Sequence, residues 1–177
     1  MITLIGKRVT LCEITETDGE AVVRWRNAEI IKRVFFSNET LTVGKQQAWM
    51  KAYRQDPSDI TFIIEKDGKS IGMVALYNIQ IDTAEFGRLL IGETEFRRQG
   101  FAKEASKMIL DYGFDKLGLQ SIHARVFEDN ETAVRLYFSL GFKVIEKEMN
   151  KEKRVILNML INRADWQKDK YLIRTDY

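Results

Sequence analysis

The segment Arg97-Arg98-Gln99-Gly100-Phe101-Ala102 places fixed positive charge and a glycine where an apolar strand-like run gives way to a helical period. A helix N-terminus leaves backbone N–H groups unpaired and carries a partial positive charge. Gly100 removes a side chain where a ligand would approach, and Ala102 keeps the next turn slim. With Lys103 the segment suits a pyrophosphate, although its residue types equally describe a solvated basic helix start. Downstream, Asn130, Ala133 and Tyr137 are spaced i, i+3 and i+7 and share one face of a short helix. Tyr137 offers a phenolic proton, or else is a core tyrosine between Leu136 and Leu140. Glu85, in Ala84-Glu85-Phe86-Gly87, is either a base leading into the basic turn or an exposed strand carboxylate.

Other chemistries find little support. Gly68-Lys69-Ser70 imitates the end of a Walker A loop, but Ile63 stands where that loop needs glycine, and no Gly-x-Gly-x-x-Gly occurs. Cys12 and His123 are the only residues of their types, so a Cys-rich zinc site and an intrachain disulfide are excluded and no metal is expected. Cys12 reads as a small apolar core residue and His123 as a structural histidine. The formal net charge of +2 gives no global field for nucleic acid, and the basic cluster lacks interleaved aromatics. No apolar run is long enough to span a membrane, and the first residues are broken by Lys7 and Arg8, so the expected location is the cytoplasm.

The elements that must hold these residues follow from periodicity. Hydrophobic residues make up 45% and charged residues 31% of 177, with Pro57 the sole proline and no linker, so one domain spanning 1–177 is expected, with 163–177 as a tail. Arg8–Ile14 reads as a first strand. Thr17 and Glu20 have capping-box spacing and open a helix carrying Ala21, Val22 and Trp25, and a second helix is expected around Gly44–Arg54. Ile60–Lys66 and Ser70–Ile81 flank Asp67-Gly68, a hairpin signal, and Ala84–Ile91 is another strand. Phe101, Ala105, Met108, Ile109 and Tyr112 share a helical face closed by Gly118. Then come a strand at Ser121–Phe127, a helix at Glu131–Leu140 ended by Gly141, and strands at Phe142–Lys147 and Arg154–Ile161. The fold class is α/β (α+β): a mixed, mostly antiparallel central sheet flanked by helices.

This order, with Arg97-x-x-Gly100-x-Ala102 and Asn130-x-x-Ala133-x-x-x-Tyr137-x-x-x-Gly141-Phe142, resembles the GNAT superfamily of coenzyme A-dependent N-acyltransferases, over roughly Glu85 to Phe142. The resemblance implies acetyl-CoA as co-substrate. It implies a pantetheine arm held by Leu90, Ile91 and Gly92, a pyrophosphate on the N–H groups from Arg97 through Arg98, Gln99, Gly100 and Phe101 to Ala102, and Asn130 near the pantetheine. It also implies Tyr137 as general acid toward the leaving thiolate, with Glu85 as the base acting through water. The tyrosine ionises near about 10 and a thiol near about 8.5, so donation is feasible as charge develops on sulfur.

For the acceptor, Trp25, Arg26 and Asn27 close the first helix, and Asn78 precedes the Glu85 strand. The Trp-Arg-Asn run is similar to GNAT enzymes that acetylate nucleotide-linked amino sugars. It is shared with the ribosomal-protein (RimJ/RimL-like) and polyamine branches. A tryptophan stacks on a base or sugar and an arginine pairs with phosphate, whereas in an ordinary helix they anchor to the core and face solvent. The expected function is acetyl transfer to a primary amine of a small molecule. A ribosomal-protein N-terminus, a polyamine, and a non-catalytic coenzyme A sensor are the alternatives, and a homodimer is left open.

Overall fold

The structure, a computed structural model, describes residues 1–37 and 39–166. Eight strands form one sheet in the order β1-β2-β3-β4-β5-β6-β8-β7. They are β1 (Thr3–Ile5), β2 (Thr10–Glu13), β3 (Ile60–Lys66), β4 (Lys69–Tyr77), β5 (Thr83–Ile91), β6 (Ser121–Phe127), β7 (Lys143–Met149) and β8 (Val155–Asn162). Every neighbouring pair is antiparallel except β5 and β6. The helices are α1 (Gly19–Asn27), α2 (Glu29–Lys32), α3 (Val43–Tyr53), α4 (Phe101–Asp115) and α5 (Glu131–Leu140).

Strand alternation divides the apolar side chains between two faces. Phe62, Ile64, Val74, Leu76 and Phe86 pack with Ala105, Ile109 and Tyr112 of α4 and Tyr137 and Leu140 of α5. Ile63, Met73 and Leu90 face the other way, onto Val22 and Trp25 of α1 and Met50 and Tyr53 of α3. The sheet is therefore covered on both faces at its centre. That is why Ile71–Leu76 of β4 is an unbroken buried run.

Several boundaries differ from those the sequence suggests, each for a local reason. Residues 3–5 pair with β2, Thr3 opposite Cys12, although Lys7 and Arg8 break the apolar pattern; those two charges occupy the connecting turn. The cap before α1 lies earlier than Thr17 and Glu20. The Asp18 carboxylate accepts the Thr15 N–H at 2.8 Å and the Thr15 hydroxyl. β4 stops at Tyr77 because Asn78 takes a positive φ of 49°. Asp67 and Gly68 both have positive φ, as a two-residue hairpin turn requires. Within the expected tail, Trp166 packs on Phe114 and donates its indole N–H to Asp111 at 2.7 Å; residues 167–177 lie outside the described ones.

Trp25 is only 2% exposed, and its indole N–H donates to Glu93 at 2.9 Å. A Cβ on Gly92 would sit 2.1 Å from the Trp25 ring, so the glycine is what lets this ring lie against the end of β5. Trp25→Ala is expected to lower the unfolding free energy by about 3–5 kcal/mol, and Gly92→Ala by about 1–3 kcal/mol through overpacking. Urea denaturation of each variant measures both.

Candidate active site

Strands β5 and β6 pair only from Thr83↔Ser121 to Phe86↔Ala124, yet β5 runs to Ile91 and β6 to Phe127. Beyond Phe86 the two strands part. On its other side β5 carries a bulge: Met73 opposes Leu90 and Ala75 opposes Gly87, so Arg88 and Leu89 together face Val74. Arg88 takes a positive φ of 51° there. The parted strands leave a slot at the sheet centre whose β5 wall is Gly87–Ile91.

The slot leads to the turn before α4. Gly100 is the N-cap with φ 83°, and Arg98 also has positive φ, so the chain reverses tightly into the helix. The Glu104 N–H bonds the Gly100 carbonyl, which leaves Phe101, Ala102 and Lys103 with the free first-turn donors. Arg8, which the sequence did not single out, braces this turn. Its Nε donates to Glu104 at 2.8 Å, its Nη1 donates to the Gln99 carbonyl at 2.9 Å, and its guanidinium lies 4.9 Å from the Phe101 ring centroid.

Arg97 does something other than face a phosphate. Its Nε and Nη2 donate to the carbonyls of Ile91 and Gly92, both at 2.9 Å, so its guanidinium clamps the end of β5. The Gly92 amide is likewise committed, to the Ile71 carbonyl at 2.8 Å. Of the three residues expected along the pantetheine arm, Gly92 therefore serves the packing of Trp25, and Leu90 has its side chain buried toward α1 and its carbonyl turned to Gly72 of β4, which leaves Ile91 at the parted edge.

Tyr137 is 5% exposed and lies edge-on to Phe86, with ring centroids 5.4 Å apart. It lines a cavity of about 300 Å³ with Asn130, Ala133, Arg26, Tyr77, Arg88 and Arg125. Asn130 is the N-cap of α5, its side-chain oxygen accepting the Ala133 N–H at 3.3 Å. Burial, with a lesser contribution from Tyr77, holds the Tyr137 hydroxyl far above the usual tyrosine range, so it stays protonated.

Glu85 opens onto a neighbouring hollow of about 220 Å³ shared with Asn78, Gln80, His123, Arg125 and Asn158. Its carboxylate accepts from the Asn78 amide at 2.8 Å. The structure thus puts Tyr137 and Glu85 in adjacent recesses. Tyr77 lines the first of them and packs over Gly87, where a Cβ would come within 2.9 Å of its hydroxyl. Burial and then Glu85 raise the Tyr77 hydroxyl above its ordinary value.

The expected acceptor residues separate. Trp25 is core and cannot stack on a ligand. Asn27 ties the following loop, its amide donating to the Leu41 carbonyl at 2.7 Å and its carbonyl accepting the Leu41 N–H at 2.8 Å. Asn78 serves Glu85. Arg26 alone of the Trp-Arg-Asn run reaches the cavity. Arg88 and Arg125 escaped the sequence reading. Arg88 stands in a strand whose alternation the bulge breaks; its only signal is a lone charge in an apolar run. Cys12 is half-buried rather than fully buried, and burial pushes its thiol up to about 11.

Among the described residues no group of three His, Cys, Asp or Glu side chains is arranged to hold a metal ion, and no helix is long and apolar enough to cross a membrane.

The family model for the acetyltransferase (GNAT) domain matches residues 8–143. The chain belongs to the GNAT acetyltransferase family. Among its relatives are a mouse alpha/beta-tubulin-N-acetyltransferase 9, 28% identical over 80% of this chain and 64% of that protein, and an Escherichia coli spermidine N(1)-acetyltransferase, 35% identical over 50% of this chain and 48% of that protein. The chain thus spans less than two thirds of either. It matches the Campylobacter jejuni acetyltransferase PseH at 26% identity over 77% of this chain and 83% of that protein. A spermidine N-acetyltransferase from Vibrio cholerae, in complex with CoA and spermine, shares the GNAT fold with a TM-score of 0.82 at 24% identity, over 89% of this chain and 97% of that one.

The tyrosines make stability depend on pH. Burial raises the Tyr53 hydroxyl to about 12 and the Tyr137 hydroxyl further, whereas both ionise near about 10 when unfolded. Their contribution is complete below about pH 10 and is lost as pH rises through the folded values, because only the unfolded chain then releases the protons. The urea midpoint is expected to fall between pH 9 and pH 11, and to fall less steeply in Tyr137→Phe.

Proposed function

We propose that the protein transfers an acetyl group from acetyl-coenzyme A to a primary amine of a small molecule, first among the candidates a nucleotide-linked amino sugar. The parting of β5 from β6 toward the α4 turn carries this reading, because it joins a narrow slot to a cluster of free backbone donors. The residues fit coenzyme A: Gly100 and the first-turn N–H groups of α4 suit the pyrophosphate, with Arg98, Gln99 and Lys103 beside them, and the open edge of β5 beyond Phe86, up to Ile91, suits the neutral arm. Asn130 lies in the wall of the cavity where the arm would end. When bound, acetyl-CoA supplies the acetyl thioester.

The chain's own groups then move the protons. A backbone N–H of the unpaired β5 stretch polarises the reacting carbonyl, a contribution on the order of 10²-fold in comparable sites. Glu85 receives the amine proton through a water or the Tyr77 hydroxyl, which lies between the two recesses. Tyr137, kept protonated by burial, gives its proton to the departing sulfur and regains one from solvent. The arginines of the Tyr137 cavity, Arg26, Arg88 and Arg125, support an amino-sugar acceptor linked to a nucleotide, whose phosphates they suit. A polyamine acceptor is the second reading, favoured by the identity to the E. coli spermidine enzyme over half of the chain.

Thiol release with acetyl-CoA against nucleotide-linked amino sugars, free amino sugars, polyamines and peptides tests the proposal; no release with any amine overturns it. Tyr137→Phe is expected to lower kcat by about 10²-fold while coenzyme A still binds with wild-type affinity, which calorimetry measures. Gly100→Val, which forces a branched side chain into positive φ and against Arg8, is expected to weaken coenzyme A binding at least about tenfold.

A further inference from the structure

Arg26 sits in the last turn of α1 with its guanidinium 4.1 Å over the Phe35 ring. Its Nε is buried and has no hydrogen-bond partner among the described residues, and no carboxylate there pairs with it. Burial, and the nearness of Arg88, lower its pKa from the ordinary arginine value, but a guanidinium keeps its proton in a protein. Arg26 as a whole is half-buried, so its guanidinium sits beside a second cation, partly withdrawn from water and with no carboxylate to offset it.

The other cations of the same cavity have their own partners. Arg88 is held between Trp49 and Tyr77, at 5.3 and 4.6 Å from their ring centroids, and its Nη1 donates to Asp59 at 2.7 Å and to Thr61 at 2.8 Å. Arg125 is paired with Glu148 and donates to Asn158 at 3.2 Å. Asp59 and Glu148 lie outside the cavity wall, which among the described residues holds three arginines and no aspartate or glutamate. The cavity therefore carries one uncompensated positive charge, at Arg26.

We propose that Arg26, with Arg88 beside it, is the anion-binding subsite of the acceptor pocket, and that the acceptor amine bears an oxyanion, a phosphate or a carboxylate. The assignment rests on the proposed acetyl transfer. The phosphates of coenzyme A belong at the far end of the slot, on the turn from Arg98 to Ala102, while the pantetheine arm and the acetyl group are neutral. Only the acceptor remains to bring the missing charge. Guanidiniums suit this task because their forked donors match the two oxygens of a carboxylate or phosphate. A polyamine would add cations to a wall that already repels them, whatever the sequence likeness to spermidine enzymes. The hollow floored by His123 and Asn158 shares Arg125 with this cavity and gives the polar remainder of the acceptor a continuous surface.

The test uses the full chain saturated with coenzyme A, so that the pyrophosphate site is filled. Calorimetric titration with glucosamine 6-phosphate, UDP, 4-aminobutyrate and spermidine then reads the acceptor pocket alone. At least one anionic probe is expected to bind more tightly than spermidine, the phosphates or the carboxylate winning according to the source of the oxyanion. Arg26→Gln is expected to weaken that probe at least tenfold, with Arg26→Lys between it and wild type. Thermal unfolding of both variants separates lost charge from lost fold. Binding of none of the anions, tighter binding of spermidine, or affinities within twofold in Arg26→Gln would overturn the subsite. So would an equal fall in turnover of charged and uncharged amines, which would assign Arg26 to the reacting carbonyl. Anion binding lost in Arg26→Gln, with no thiol release from any amine, would sink the transfer reaction and leave the anion subsite standing.

Discussion

An open seam in the middle of a sheet exposes backbone polar groups that neighbouring strands normally satisfy. In this protein the seam begins after Phe86 and Ala124, and the surrounding structure is arranged to hold it open. The bulge at Arg88 and Leu89 bends β5 against β4, and the Arg97 guanidinium fastens the far end of β5 by two carbonyls. The Trp25 ring wedges beneath Gly92, and Arg8 secures the turn that follows.

Charge is distributed around the seam in a graded way. At the α4 end the positive character comes from backbone donors and from side chains at the surface. In the Tyr137 cavity it comes from guanidiniums stacked on aromatic rings: Arg26 on Phe35, Arg88 between Trp49 and Tyr77, Arg125 near Phe36. Aromatic faces stabilise a cation without neutralising it. The cavity consequently keeps its field for a ligand, while Asp59 and Glu148 hold two of the three side chains in place from behind.

Much of this was legible in the residues. β3, β6 and α5 begin and end where periodicity and turn chemistry place them, because β-branched runs, Asp-Gly and a terminal glycine act locally. The phosphate-type turn was legible for the same reason: Gly100 and the helix start are neighbours in sequence. What escaped depends on contacts distant in the chain. Nothing near Arg97 says that its side chain turns back to Ile91 and Gly92, and nothing near Trp25 says that a glycine 67 positions later, at 92, receives its ring. Arg88 was hidden by the bulge, which breaks the two-residue period on which any facing argument depends. The short strand Thr3–Ile5 is apolar enough to pair but too short, beside two charges, to announce itself.

Trp25 and Arg26 are consecutive residues with unrelated duties: one ring locks α1 to the end of β5, and the next side chain lines the Tyr137 cavity. Because they diverge by about 100° around the helix axis, position 26 is free to drift while position 25 stays fixed. On the proposed assignment of Arg26, acceptor preference is thereby separable from the scaffold, and a lineage carrying the same anchor has a one-residue route to a new partner molecule while the packing around β5 stays as it is.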